Sequence, residues 1–209
     1  MERFWERSWS GVDMDRVERY IDSEDTTEDY IISCLREQGA ETVCDAGCGC
    51  GAYSVKLVAN GFEVFGFDVA AGAVKIAEEL MQSKGLAYGA FQVGNITRTS
   101  YEDGQFDAAV SRDVIDHMAF RDGISAVKEL VRIVKEGGLV VITLDRLDDE
   151  YETEPHTVTP DGDYIFTQGK WQGMVFHPYS ESDVPKLVQS GTIKSVKSSA
   201  EGLQVVIVK

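Results

Sequence analysis

With 209 residues, the chain is long enough for one domain with a substantial core. Its formal net charge of −16 argues against binding bare nucleic acid, because phosphate neutralisation requires clustered lysines and arginines. No apolar run reaches the roughly 20 residues of a membrane span, and the charged start of the chain lacks the apolar core of a signal peptide. We therefore expect a cytoplasmic protein that has neither a nucleic-acid nor a membrane partner.

Helix-like and strand-like segments alternate along the first two thirds of the chain. Residues 1–38 are expected to form a helical segment, and its aromatic stretch 4–9 either folds over a pocket as a lid or docks on the core or a partner. Short apolar strands are then expected at Glu41–Asp45, Glu63–Asp68, Ala87–Val93, Phe106–Ser111 and Leu139–Leu144. Amphipathic helices are expected at Gly51–Asn60, Ala70–Lys84 and Gly123–Val134. Apolar strands separated by amphipathic helices predict a parallel sheet covered on both faces.

The last third of the chain has a different pattern. Residues 145–179 show no sustained periodicity and are too many for an ordinary connector, so we expect an irregular insertion that caps a substrate site. A helix is expected at Ser180–Ser190. Two strands at Ile193–Lys197 and Leu203–Lys209 have the spacing of an antiparallel hairpin.

Three alternating glycines follow the first predicted strand, at Gly47, Gly49 and Gly51. Because glycine has no Cβ, a ligand can approach the backbone closely there, next to the N-terminus of the following helix. The second predicted strand ends at Asp68, whose carboxylate can accept hydrogen bonds from a ribose diol. An acid about 20 residues beyond such a loop is typical of a nucleotide-type ligand on an α/β sheet.

The four cysteines do not have the pattern of a metal site. Zinc sites use paired C-x-x-C spacing and a fourth ligand, and neither occurs around Cys34, Cys44, Cys48 and Cys50. A disulfide is not expected in a reducing compartment. We therefore expect no bound metal and interpret the cysteines as small packing residues.

The segment Asp45–Gly51 resembles the D-x-G-x-G-x-G loop of class I S-adenosylmethionine-dependent methyltransferases. The resemblance covers about residues 40–145, since further motifs follow in the family's order at Phe67-Asp68, Gly94-Asn95, Phe106–Val110, Asp116-His117 and Val134–Gly138. It implies one domain over residues 1–209 with a Rossmann-like, doubly wound α/β fold. The sheet would have seven strands, mostly parallel with an antiparallel last strand, and helices on both faces. It also implies methyl transfer from S-adenosylmethionine to a small-molecule acceptor, with S-adenosylhomocysteine as product.

The same resemblance implies a set of cofactor-binding residues. Asp68 would hold the ribose, Asp45 would lie near the amino end of the methionine portion, and Val69 would cover the adenine. At the adenine edge the family usually has an acid, so the contact is left open between the Asn95 side chain and the backbone of Ile96. The full set is Asp45, Gly47, Gly49, Gly51, Asp68, Val69, Asn95, Ile96 and Arg112.

The acceptor side is predicted from polar residues that follow the fourth strand and from aromatic residues of the insertion. His117 and its neighbour Asp116 are the catalytic candidates, with His117 either deprotonating an acceptor or orienting the loop by packing. Arg112 would hold an anionic substrate or form an ion pair with a surface acid. The candidates for substrate binding are Asp113, Trp171, His177 and Tyr179, although the aromatics alternatively pack the insertion.

Two other functions are compatible with the glycine loop. A non-catalytic S-adenosylmethionine-binding protein would keep the same loop without turnover. A dinucleotide-dependent reductase is the third reading, because Gly47, Gly49 and Ala52 also satisfy G-x-G-x-x-A. Asp45 two positions before the first glycine, and the closing hairpin, count against the reductase.

Overall fold

The computed structural model describes residues 2–23, 26–147 and 149–209. The chain begins with three helices, α1 (Glu2–Trp9), α2 (Met14–Ile21) and α3 (Thr26–Glu37). The helical segment expected over residues 1–38 therefore consists of three helices, and Glu24 and Asp25 lie outside the described residues. Asp13 begins α2 by accepting a hydrogen bond from the Asp15 amide, as N-cap residues do.

Strands and helices then alternate as the sequence predicts, with small shifts at their ends. The strands are β1 (Thr42–Ala46), β2 (Glu63–Asp68), β3 (Ala90–Val93), β4 (Phe106–Arg112) and β5 (Val134–Asp145). The helices between them are α4 (Ala52–Ala59), α5 (Ala71–Ser83) and α6 (Phe120–Ile133). β5 begins five residues earlier than expected, because Val134 already pairs with Phe106 across an irregularity in the register.

Two further strands, β9 (Thr192–Ser198) and β10 (Gly202–Val208), complete a seven-stranded sheet in the order β3-β2-β1-β4-β5-β10-β9. In this sheet β10 runs antiparallel to both of its neighbours, β5 and β9, whereas the pairs among β1–β5 are parallel. The predicted mostly parallel sheet with an antiparallel last strand is confirmed. The strand order reverses between β1 and β4, and open α/β sheets bind their ligands at such a reversal, outside the carboxyl ends of the strands.

Residues 145–179 are more regular than the sequence suggests. They contain a short helix, α7 (Asp149–Thr153), and three strands that form a separate antiparallel sheet, here called the cap sheet: β6 (His156–Val158), β7 (Tyr164–Phe166) and β8 (Val175–Phe176). Strands of two or three residues are too short to produce a recognisable period-two pattern. The helix expected at Ser180–Ser190 is also shorter, because α8 spans only Val184–Leu187.

Helices cover both faces of the large sheet, as predicted. On one face, α6 and α8 pack against strand residues that include Cys44 and Ile142. On the other face, α3 and α4 pack against their neighbours along the same strands, Val43 and Val141. Successive strand residues thus bury opposite faces, which explains the continuous apolar runs. Among the helices in the described ranges, none has both the length and the apolar character needed to cross a bilayer.

Candidate active site

The turn between β1 and α4 is built on three glycines in the left-handed region, with φ of 81° at Gly47, 52° at Gly49 and 80° at Gly51. A Cβ on Gly47 would lie 2.5 Å from a methyl carbon of Val114. The turn is fixed to β2 because the amides of Gly47 and Cys48 donate to the Phe67 carbonyl at 2.8 and 2.9 Å. The turn therefore needs glycine at these positions and holds its backbone amides at the edge of the sheet.

Asp68 ends β2 directly beside this turn. One carboxylate oxygen accepts a hydrogen bond from the Gly49 amide at 3.0 Å, and the other accepts one from the Ala70 amide at 2.9 Å. Burial raises the pKa of Asp68 above its usual range, while these backbone amides oppose the rise. Each oxygen has a further lone pair, so the oriented carboxylate can still accept hydrogen bonds from a ligand.

Asp45 is the buried acid of β1. Its carboxylate accepts a hydrogen bond from the Ser54 hydroxyl in α4 and is 3% exposed. Burial raises the pKa of Asp45 to about 6, against the opposing effects of Ser54 and the positive charge of Arg112. At neutral pH the carboxylate is therefore mainly ionised, and it contributes negative charge to the site.

One cavity of about 1240 Å³ joins these features. Its wall includes the turn, the ends of β2 and β4, the segment after β3, and the helices α1 and α2. The predicted residues on the wall are Asp45, Gly47, Gly49, Asp68, Val69, Asn95, Ile96, Arg112, Asp113 and His117. A volume of this size accommodates a nucleoside-type cofactor together with a second small molecule.

Gly51 has a different place in the structure from the other two loop glycines. It is the N-cap residue of α4 and packs against α5, where a Cβ would lie 2.8 Å from the Cβ of Ala77 and 3.0 Å from its Cα. It is not among the residues that line the cavity. Its described contacts are those of a residue that lets two helices approach closely.

The Asn95 side chain is engaged within its own loop. Its amide oxygen accepts hydrogen bonds from the Thr97 amide at 2.9 Å and the Thr97 hydroxyl at 2.8 Å. Ile96, next to it, is buried and also lines the cavity. The oxygen that the sequence suggested as an adenine contact thus already has two donors.

Arg112 forms a buried ion pair. Its guanidinium donates to the carboxylate of Glu28 in α3 and to the hydroxyl of Tyr20 in α2, and it lies 4.7 Å from the centroid of the Tyr53 ring. Lys56 also contacts Glu28, at 2.6 Å. The ion-pair alternative is thus the arrangement observed, but the acid is 3% exposed and not a surface residue. No local pattern in the sequence marks Glu28, because a charged residue in a helix normally faces solvent.

His117 lies on the cavity wall with its ring between two aromatic side chains. The ring centroid of Trp5 is 5.0 Å away and that of Phe176, in the cap sheet, is 5.5 Å away. Burial lowers the pKa of His117 to about 4, so the imidazole is neutral at pH 7. A histidine with so low a pKa is a weak base, and it can donate or accept a hydrogen bond without changing its charge.

Asp116 does not line the cavity. It is fully buried behind His117, with one carboxyl oxygen 3.8 Å from the His117 Nε2 and 3.3 Å from the Asp145 amide, which donates to it. Burial raises the pKa of Asp116 well above its usual range. The two catalytic candidates are thus adjacent, but only His117 reaches the space where a ligand would bind.

Asp113 has a left-handed backbone, with φ of 53°. The Thr143 hydroxyl in β5 donates to its carboxylate at 2.5 Å and accepts from its amide at 3.0 Å. Burial, followed by the negative charge of Asp113, raises the pKa of nearby Asp145 to about 7. Thr143 thus holds an otherwise unfavourable backbone in place at the wall of the cavity, and such conformations concentrate at functional sites.

The three aromatic candidates of the insertion contact the protein interior and not the cavity wall. Trp171 packs on Phe4 and Tyr151. His177 lies 2.9 Å from a carboxylate oxygen of Asp163, and Tyr179 packs against the His177 ring with centroids 4.5 Å apart. The structure does not bring Trp171, His177 and Tyr179 to the lining of the cavity. Their contacts hold the cap sheet in place, which is the packing alternative.

Several of the lining residues that sequence reasoning did not assign come from α1 and α2. Trp5, Trp9 and Tyr20 line the cavity, and the Trp9 ring lies against Gly49. The sequence does show the aromatic cluster of the first helix. The position of each ring within the site, however, depends on the tertiary fold. α1 borders the cavity as a lid would, although the lid role itself stays a prediction.

All four cysteines are free and buried. Burial raises the pKa of the Cys44 and Cys48 thiols well above the usual value, and it also raises that of Cys50. Cys48 and Cys50 belong to the glycine turn itself and line the cavity. These thiols are therefore protonated and packed in the state described.

Comparison with known proteins supports the family resemblance. A family model described as a methyltransferase domain matches residues 44–142. The chain is 36% identical over 108 residues to tocopherol O-methyltransferase from Arabidopsis thaliana, a match that covers 51% of this chain and 30% of that protein. It spans between 30% and 49% of the full length of the first curated relatives that it matches.

Solved structures show the same fold. The PH0226 protein from Pyrococcus horikoshii OT3 superposes with a TM-score of 0.73 at 21% identity, over 90% of this chain and 92% of that one. Magnesium protoporphyrin IX methyltransferase from Synechocystis PCC 6803, solved with bound S-adenosylhomocysteine, gives a TM-score of 0.66 at 17% identity over 93% of each chain. The methyltransferase-domain match, which spans just under half of the chain, includes the glycine turn, and the fold of the chain is that of the class I S-adenosylmethionine-dependent methyltransferases.

Proposed function

We propose that this protein transfers a methyl group from S-adenosylmethionine to a small-molecule acceptor. The observation that supports this most directly is the continuity of the cavity. The glycine turn and Asp68, which suit the methyl donor, share one space with His117 and Asp113, which suit an acceptor. A donor and an acceptor bound in a single cavity can meet without crossing bulk water.

For the cofactor, the family's S-adenosylmethionine, we assign roles from the groups on the wall. Asp68 would accept hydrogen bonds from the ribose diol, and the turn amides with Asp45 would hold the methionine portion. Val69 and Ile96 would pack on the adenine. Because the Asn95 oxygen is already engaged by Thr97, we expect the backbone of Ile96 to make the contact at the adenine edge.

Bound S-adenosylmethionine supplies an electrophilic methyl group, so the protein's own part is mainly alignment and exclusion of water. With a pKa of about 4, His117 suits a positioning role, in which its neutral ring hydrogen-bonds to the acceptor. Asp113, fixed by Thr143, would hold a polar group of the acceptor. Arg112 is paired with Glu28, so we expect it to act through its charge by keeping Asp45 ionised.

A small acceptor is also supported by the relatives, which are named as a tocopherol O-methyltransferase, a ubiquinone biosynthesis O-methyltransferase and a phosphoethanolamine N-methyltransferase. The cap sheet packs against His117 through Phe176, and it would close the acceptor end of the cavity. A cytoplasmic location and the lack of a nucleic-acid or membrane partner stay predictions, which cell fractionation and binding assays would test.

The test is calorimetry with S-adenosylhomocysteine, S-adenosylmethionine, NAD and NADP, followed by transfer of a labelled methyl group to a panel of phenols, amines and thiols. We expect both adenosyl ligands to bind, the nicotinamide dinucleotides not to bind, and label to appear on at least one acceptor. Binding without transfer to any acceptor would favour the non-catalytic alternative. Binding of NAD or NADP alone would favour the reductase.

A further inference from the structure

We propose that the indole of Trp9 contacts the sulfonium of S-adenosylmethionine, and that this contact adds more affinity for the charged donor than for the neutral product. The inference rests on the proposed function, because it concerns the same cofactor. It adds a residue from outside the methyltransferase-domain match, which begins at residue 44.

The first step is the contact between Trp9 and the glycine turn. A Cβ built on Gly49 would lie 2.6 Å from Cζ2 and 2.8 Å from Cη2 of the indole, with Cε2 third at 3.5 Å. Two neighbouring atoms of the six-membered ring are thus closest to the turn. The ring is half-buried, packs beside Val17 and Cys48, and lines the cavity. A glycine is needed here because any side chain would displace the indole.

The second step is the order of groups along the cofactor. Its sulfur is bonded to the ribose C5′ on one side and to the methionine side chain on the other. We place the ribose at Asp68 and the methionine portion at Asp45, both on the cavity wall. Gly49 belongs to the turn between them and donates its amide to Asp68 at 3.0 Å. In this placement the sulfur would lie near Gly49, and therefore near the indole of Trp9.

The third step is that α1 is anchored at both sides of the cavity. The Glu6 carboxylate accepts from the Gly72 amide in α5 at 3.2 Å, and the Arg7 guanidinium donates to the Gln172 carbonyl at 2.9 Å. Phe4 is buried in the cluster beneath the cap sheet. These contacts hold Trp9 in place before a ligand arrives, so little conformational freedom is lost on binding.

The fourth step is the charge of the ligand. An indole is the best of the aromatic side chains at attracting a cation, and the attraction is larger where water is excluded. During transfer, a lone pair of the acceptor forms a bond to the methyl carbon and the S–CH3 bond breaks. The electron pair of that bond stays on sulfur, and the acceptor's proton, where it has one, passes to solvent. The sulfur becomes a neutral thioether, so the attraction to the indole ends with the reaction and product release becomes easier.

The experiment compares the affinities of the two adenosyl ligands by calorimetry in the full chain and in Trp9→Leu. We expect the substitution to weaken S-adenosylmethionine about tenfold and S-adenosylhomocysteine less than about threefold, because only the former carries the cation. Trp171→Leu is the control, since it removes an indole that does not line the cavity. It should leave the ratio of the two affinities unchanged.

Equal weakening of both ligands, or no change in either, would overturn the role of Trp9 and leave the proposed function intact. If the unsubstituted protein binds neither ligand, both proposals are wrong. Should leucine prevent folding, Trp9→Phe gives the same test, because a smaller ring should change the affinity ratio in the same direction by a smaller factor. An unchanged ratio in that variant would also overturn the inference.

Discussion

The carboxylate of Asp68 and the amide of Gly49 are joined by a hydrogen bond of 3.0 Å, which ties the end of β2 to the turn that follows β1. These residues are 19 positions apart in the chain. The bond gives the turn its shape and at the same time orients the carboxylate that we assign to the ribose. Shape and binding are thus coupled at this point, and a substitution here affects both.

We expect Asp68→Ala to weaken S-adenosylhomocysteine binding by about 10- to 100-fold, as measured by calorimetry, because the hydrogen bonds between the ribose diol and this buried carboxyl group are lost. Glu181→Ala is the control, since it removes one negative charge from an exposed position. Native-like circular dichroism in both variants would exclude unfolding as the cause. An affinity unchanged by Asp68→Ala would remove this residue from the site.

We expect Gly51→Ala to destabilise the protein by more than Gly61→Ala does. Both glycines have left-handed φ values, of 80° and 92°, so both substitutions introduce backbone strain of about 1 kcal/mol or more. Only at Gly51 would the new Cβ also collide with Ala77, at 2.8 Å, whereas nothing lies within 4 Å at Gly61. Urea unfolding should show an additional loss of about 1–3 kcal/mol at Gly51. Equal losses would mean that α4 and α5 adjust without cost.

The pair Arg112–Glu28 should show strong coupling in a double-mutant cycle of Arg112→Met and Glu28→Gln. Both side chains are buried, so removing one leaves an incompletely paired charge, and we expect a coupling energy of about 2 kcal/mol in urea unfolding. The exposed pair Lys75–Glu79 provides the reference, at about 0.5 kcal/mol or less. Coupling no larger than this reference would instead favour Arg112 as an anion-binding residue.

The low pKa of His117 should make the protein less stable in mild acid. Its pKa is about 4 in the folded state against 6.5 when unperturbed, so between these values the unfolded state binds more protons. The free energy of unfolding is therefore unaffected by His117 above about pH 6.5, and it decreases as the pH falls from there towards 4. Between pH 7.5 and pH 5 this amounts to about 2 kcal/mol. His117→Asn should reduce the measured pH dependence of unfolding by that amount, and an unchanged dependence would contradict it.

Asp145 should have the opposite effect. Its pKa is raised from 3.8 to about 7, so the folded state binds more protons between these values and stability is lost as the pH rises through them. Asp145→Asn, which mimics the protonated acid, should stabilise the protein at pH 8 by about 1 kcal/mol after allowance for solvent screening, and by little at pH 4. Thermal unfolding at the two pH values measures this. Glu102→Gln, at an exposed position, should show no such difference.

The sequence predicts the large sheet well because its strands carry strong local signals. The bounds of β2 at Glu63–Asp68 are the same in prediction and structure, since a charged residue begins the apolar run and an acid ends it. The cap sheet was missed because β7 has only three residues and β8 only two, which is too few to produce a recognisable alternation of apolar and polar residues. The helix predicted at Ser180–Ser190 begins too early, because Pro185 lies in the first turn of α8 and thus marks where this helix starts.

In the candidate site, too, some residues are predictable from the sequence and others are not. The glycine turn and Asp68 were identified because their spacing along the chain has a direct physical meaning. Glu28, the partner of Arg112, was not identified. It lies 84 positions away in the chain, and in the sequence it resembles any solvent-facing acid of a helix. The position of Trp9 against Gly49 likewise depends on how α1 folds across the sheet edge.

The buried thiols of the glycine turn provide a built-in chemical reporter. Alkylating reagents attack the thiolate, whereas burial raises the pKa of the Cys48 thiol and leaves the residue 8% exposed at the cavity wall, so we expect its labelling to be slow. The labelling rate of Cys48, followed by mass spectrometry of its peptide, therefore reports the access of the reagent to this thiol through the cavity. A ligand that occupies the cavity should slow this labelling in proportion to its occupancy, so donor binding can be measured even when no methyl acceptor is known.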